Sequence, residues 1–228
     1  MTPHVTFSRL EQVELVIGRT IQAVLLGEFI AGLITANWWL AFVTAQAFVA
    51  SVLPAVLARN TRLNAPAGFQ LTVILFIFAT IFLGEVYEYY ERFWWWDMAL
   101  HTSSGLVLGW VAFLFLFTLF DHQRVRMSPI LLSCFAVAFA MAMGTLWEIF
   151  EFIVDTLMGM EMQRGGLSDG GGLEDTMSDQ IVNALGASIA VAIAYWRVTR
   201  QRGRRWVKEL ASDFLDEQYR ASILKDAE

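Results

Sequence analysis

Six long apolar stretches, at about 15–35, 38–58, 69–92, 95–120, 128–157 and 175–198, constrain this chain more than any other feature. Crossing roughly 30 Å of hydrocarbon takes about 20 helical residues, and each stretch is that long. The stretches are continuously apolar and do not alternate, which selects helices over a membrane barrel. The expected fold is all-α: a polytopic transmembrane helical bundle of about six spans over residues 1–198, with a basic, amphipathic tail over 199–228. Composition agrees, with 57% hydrophobic and 17% charged residues, where soluble domains carry about a quarter charged.

The loops orient the bundle. With the N-terminus placed in the cytoplasm, Arg9, Arg59, Arg62, Arg124, Arg126, Arg197, Arg200, Arg202, Arg204, Arg205 and Lys208 fall inside, and only Arg92 and Arg164 fall outside. That asymmetry is the positive-inside signature, and it holds only for an even number of spans, so both termini are expected to be cytoplasmic. Trp38, Trp39, Trp94, Trp95 and Trp96 then sit at outer span ends, where an interfacial aromatic belt places them. In the tail, Trp206, Leu210, Phe214 and Leu215 recur at helical spacing, as in a short amphipathic helix lying on the membrane or on a membrane-protein partner.

The net charge of −6 says little about partners, because bases gather in the ends and loops while acids gather within apolar segments. Outside the tail, no basic face with interleaved aromatics points to nucleic acid. The N-terminal stretch lacks a small-residue cleavage pattern, so no cleaved signal peptide is expected. Cys134 lies in an apolar run and reads as a small packing residue. Arg164 to Gly172, rich in glycine, joins the last two spans; it reads as a flexible connection or as a lid over nearby acids.

Charge inside a span costs at least ~2.5–3.5 kcal/mol per group at the centre, so intramembrane acids need a reason. Rising at 1.5 Å per residue, Glu85, Glu88, His101, Glu148, Glu151 and Asp179 come out at similar depths below the outer span ends, and Glu28 joins them. Asp97 and His101 are four apart, Glu148, Glu151 and Asp155 are three and four apart, and Asp175, Asp179 and Asn183 follow a four-residue step, so each set shares a helix face. Such stripes must face the bundle interior. With no Lys or Arg expected in that layer, the carboxylates are left to bind protons or a metal. Metal-binding bundles use Glu residues and Glu-x-x-His pairs on facing helices. The candidate ligands here are Asp97, His101, Glu148, Glu151, Asp155, Asp175 and Asp179, with Glu85 and Glu88 as candidate catalytic bases. Oxygen-rich ligation with a single imidazole favours Mg²⁺, Mn²⁺, Ca²⁺ or Fe²⁺ over Zn²⁺. For Asp175, at the start of span six, a helix cap is the better reading, and Asp97 can likewise cap span four.

Three segments carry a resemblance. Trp96 to Gly105, with Asp97, His101 and Gly105, resembles the D-x-x-x-H-x-x-x-G signature of the bacterial inner-membrane YjdF-like family and, more distantly, VanZ-like proteins. Gly144 to Glu151, with Trp147, Glu148 and Glu151, resembles its W-E-x-x-E element, and Asp175 to Gly186 its D-T-x-x-D…N…G element. The match covers about residues 69–190, in order. It implies a bacterial inner-membrane, multi-pass protein with this site, and it implies no substrate.

Three functions remain open from the sequence. One is a metal-dependent hydrolase or transferase acting on a membrane-associated substrate; no G-x-S-x-G nucleophile motif is present, so water would attack. The second is a proton or cation transporter using the same carboxylates, although the inner half of the bundle has few polar stepping stones. The third is a non-catalytic subunit of a larger membrane complex.

Overall fold

The computed structural model describes residues 8–60, 66–122, 127–159, 162–164 and 171–200. Among them every regular element is a helix: α1 (Arg9–Ile34), α2 (Trp38–Asn60), α3 (Ala67–Ile77) running on as a π-helix (Phe78–Val86), α4 (Tyr89–Arg92), α5 (Trp96–His122), α6 (Pro129–Met158) and α7 (Gly171–Thr199). Among the described residues five helices are long and apolar enough to cross a membrane, and α2 carries a shorter apolar stretch, Trp38–Leu53. The tail expected to form an amphipathic helix lies outside the described residues.

The start and stop signals are local. Ser8 caps α1 through a reciprocal box with Glu11, which satisfies two N–H groups at the helix start. Ser128 caps α6 ahead of Pro129, and α6 stops at Gly159, whose φ of 65° suits a residue with no Cβ. The chain forms two compact units, with their boundary between Trp96 and Asp97.

In the first unit α1, α2 and α3 pack around Leu25, Ala47 and Phe82, with Ile21, Phe48, Ile77 and Phe78 against them. Gly32 lets α1 approach the backbone of Ala41 on α2 so closely that a Cβ there would collide with it. The third span departs from expectation. The Thr80 hydroxyl donates to the Phe76 and Ile77 carbonyls, a back-bond that competes with regular helix geometry. The winding loosens to π from Phe78, and Tyr87 N–H donates to Phe82 O five residues back. The span ends at Val86, and Glu88 breaks the winding with a left-handed φ of 56°. A continuous helix to residue 92 is therefore corrected to a π-wound end followed by a single turn.

In the second unit α5, α6 and α7 enclose Phe113, Phe117, Leu132, Ala136, Val191, Ala194 and Val198. Helix α7 shows what surrounds it. Leu173, Met177, Ile181, Leu185, Ile189 and Ile193 recur every four residues and are 47–70% exposed, while Asp179, Asn183, Gly186, Ala187 and Ala190 are buried. An apolar outside with a polar and small-residue inside suits a bilayer, since lipid-facing residues lose nothing by exposure and small residues let helices approach. Glycine and alanine make that approach concrete. Gly105 and Gly109 on α5 lie against Asn183 and Ala187 on α7, Gly186 lies against the Thr102 carbonyl, and Gly144 on α6 accommodates the Asn183 carboxamide. A Cβ at Gly105, Gly144 or Gly186 would collide with those neighbours.

Candidate metal centre

The antiparallel course of α5, α6 and α7 brings the start of α5, the end of α6 and the start of α7 to one end of the second unit. Counting at 1.5 Å per residue, His101 lies about 8 Å inside the start of α5, Asp179 about 12 Å inside the start of α7, and Glu148 about 15 Å from the end of α6. Three helices thus deliver polar groups to one layer. His101, Glu148, Glu151, Asp155 and Asp179 are all buried.

His101 is the hub. Its Nε2 lies 3.6 Å from Asp97 Oδ1 and 3.9 Å from Asp179 Oδ2, and its Nδ1 lies 3.8 Å from Glu148 Oε1. One ligand atom each from Asp97, His101 and Asp179 lies within 4.8 Å of the others. Asp179 is 2% exposed, and its Oδ2 has no hydrogen-bond partner. Both oxygens of Glu148 are likewise buried without one. Unsatisfied buried carboxylate oxygens are costly and call for a proton, a cation or a donor.

The remaining predicted residues have other occupations. Glu151 accepts a hydrogen bond from Trp147 Nε1 at 2.7 Å. Asp155 accepts the backbone N–H groups of Met162 and Gln163 at 2.7 and 2.8 Å, one on each oxygen. Its carboxylate therefore ties the connection after α6 to the end of that helix and stands outside the Asp97–His101–Asp179 group. Helix α7 begins at Gly171, one turn before Asp175, so Asp175 does not cap it; its Oδ2 accepts the Arg164 N–H at 2.9 Å. Asp97 lies in the first turn of α5. Glu85 and Glu88 belong to the first unit. Glu88, expected below the membrane surface, has a side chain 67% exposed and pairs with Arg92 at 3.4 Å; the helical winding ends before it, at Val86. Glu28 is half-buried on α1, also in the first unit.

Arg164 corrects the expectation that no cation reaches this layer. Its Nε lies 3.5 Å from Asp97 Oδ2. The segment 162–164 is held down by Asp155 and Asp175, and by Gln163, which is buried and donates from Nε2 to Thr176 Oγ1 at 2.8 Å. The glycine-rich residues 165–170, read as a connection or lid, lie outside the described residues. One signal for Arg164 was present in the sequence: it is the lone cation in a connection whose two flanking helices both carry acids at their facing ends.

Below Asp179, one turn deeper, Asn183 is fully buried between Gly105 and Gly144, with no hydrogen-bond partner on either side-chain atom. The glycines of the sequence elements therefore have a steric reason: they make room for the asparagine of the third element and for the close approach of α5 to α7.

These features define a class: a helical integral membrane protein whose buried polar layer contains an Asp–His–Asp cluster. The chain belongs to the family described as "Predicted membrane protein (DUF2238)", whose model matches residues 15–200, and the likeness to YjdF-like proteins is consistent with it. An uncharacterised protein of Thermotoga maritima is 26% identical over 149 residues, covering 64% of this chain and 71% of that protein. No solved structure matches.

Proposed function

We propose that this chain holds a divalent metal ion between Asp97, His101 and Asp179, beneath the outer face of a bacterial inner membrane, and that the site serves a hydrolase or transferase acting on a membrane-associated substrate. The observation that supports this most is the convergence of one imidazole and two carboxylates from α5 and α7, with ligand atoms within 4.8 Å of one another and Asp179 Oδ2 lacking a hydrogen-bond partner. Donors around a divalent ion at about 2.1 Å stand roughly 3.0–3.4 Å apart. The gaps of 3.6 and 3.9 Å from His101 Nε2 are a few tenths wider, within a small side-chain rotation. A bound ion would supply Lewis-acid chemistry, polarising a substrate oxygen and lowering the pKa of water.

The other side chains support the same reading. Arg164 on Asp97 Oδ2 leaves Asp97 Oδ1 facing His101. The carboxylate of Glu151, beyond the two ligands, supplies a proton acceptor beside the site. The exposed apolar faces of α6 and α7 put a lipid-borne substrate within reach of this end of the unit. The basic residues on the opposite loops support the outer placement.

The test uses purified full-length protein in liposomes of total bacterial lipid, incubated with Mn²⁺ or with EDTA and assayed for new lipid products by mass spectrometry. Metal-dependent products with wild type, absent with Asp179→Asn, are expected. Failure to detect any metal-dependent product, or cation uptake in place of one, would overturn the enzymatic reading.

A further inference from the structure

From the geometry around His101 we infer that Glu148 is a positioning residue for the metal centre: it accepts the Nδ1–H of His101 and so directs Nε2 at Asp97 and Asp179. The inference rests on the metal reading above and changes the part expected for Glu148, from ligand to the group behind a ligand.

The two ring nitrogens face different neighbours. Nε2 faces Asp97 Oδ1 at 3.6 Å and Asp179 Oδ2 at 3.9 Å, whereas Nδ1 faces Glu148 Oε1 at 3.8 Å. A neutral imidazole carries one proton and one lone pair, on opposite nitrogens. A metal ligand must offer the lone pair, so the proton belongs on the other nitrogen, which needs an acceptor. Glu148 is the acceptor in place. It is 4% exposed, and neither oxygen has a hydrogen-bond partner. Its neighbour Glu151 is already engaged by Trp147 Nε1 at 2.7 Å, and Arg164 sits on Asp97. The Thr176 hydroxyl also neighbours Glu148, but Oε1 faces His101 Nδ1, and that contact needs to shorten by under an ångström to become a hydrogen bond. Carboxylate–histidine–metal arrangements of this kind fix the tautomer and raise the basicity of the ligand nitrogen, and losing the outer carboxylate typically weakens metal binding about 10–100-fold.

Mn²⁺ binding to full-length protein in detergent, by equilibrium dialysis, separates the possibilities. Against wild type, Glu148→Ala is expected to bind about 10–100-fold more weakly. Glu148→Gln, whose amide oxygen still accepts from Nδ1–H, is expected to recover most of that loss, while His101→Ala and Asp179→Asn lose binding altogether. In ¹⁵N-histidine-labelled wild type loaded with Zn²⁺ as a diamagnetic probe, the His101 proton is expected on Nδ1. This readout needs no variant to fold. Wild-type affinity in Glu148→Ala, or an unprotonated Nδ1 with no rescue by glutamine, would overturn the positioning role while leaving the metal centre standing. A wild type that binds no Mn²⁺ would overturn both.

Discussion

Replacing Gly105 by alanine should destabilise the second unit, whereas the same replacement at Gly27 should not. At Gly105 the added methyl meets the main-chain carbonyl of Asn183 and its side-chain oxygen, both on α7. The obstacle is backbone, so no rotamer change relieves it, and α5 and α7 must separate along a contact that continues through Gly109–Ala187 and Thr102–Gly186. Inserting a methyl into a packed interior costs about 1–3 kcal/mol when neighbours can shift, and a backbone obstacle places Gly105→Ala toward the upper end. At Gly27 a Cβ meets nothing within 4 Å, so alanine is neutral or stabilising by up to about 1 kcal/mol through its better helix propensity. The pair should therefore differ by about 2–4 kcal/mol. Reversible unfolding in mixed micelles, followed by circular dichroism as the fraction of denaturing detergent rises, reads the difference. Equal midpoints for the two variants would refute the close packing of α5 on α7, and with it the placement of His101 opposite Asp179.

Three further outcomes follow from the same structure. Asp155→Ala removes the acceptor for the Met162 and Gln163 N–H groups, so amide exchange there should rise by at least about tenfold, from a loss of about 1.5–3 kcal/mol per charge-assisted bond, while Mn²⁺ binding persists; unchanged exchange would contradict the tether. Glu88→Gly should raise stability by about 0.5–1 kcal/mol, since glycine tolerates a φ of 56° and the exposed pair with Arg92 contributes little; a loss above 1 kcal/mol in the same unfolding assay would show that Glu88 does more than turn the chain. With Cys134 replaced by alanine, a single cysteine at Asn37 should react with a membrane-impermeant maleimide added outside intact cells, and one at Arg124 only after permeabilisation; the reverse pattern would invert the orientation.

Much of this was legible in the sequence because it depends on spacing. The four-residue step from Asp97 to His101 and from Asp175 through Asp179 to Asn183 needs only helical periodicity to set a shared face. Burial of those faces follows from the cost of charge in lipid. What spacing could not supply was the competition for each carboxylate. Asp155 and Asp175 have the same periodic signature as Asp179, yet the backbone of residues 162–164 takes them, and that depends on how the connection folds back. Arg164 escaped because a loop residue carries no periodic signal, and its approach to Asp97 is a tertiary event. The early end of the third span escaped as well, since a mostly apolar run from 71 to 83 gives no sign that Thr80 and Gly84 will accompany a π-wound end and a left-handed residue at Glu88.

The most direct test of the central claim is the metal content of the purified protein. Wild type, prepared without chelators and measured by elemental analysis beside His101→Ala and Asp179→Asn, should carry about one equivalent of a divalent ion, and both variants should carry none. An ion-free wild type after incubation with Mg²⁺, Mn²⁺, Ca²⁺ and Fe²⁺, or variants that retain the full equivalent, would contradict the assignment of Asp97, His101 and Asp179 as its ligands.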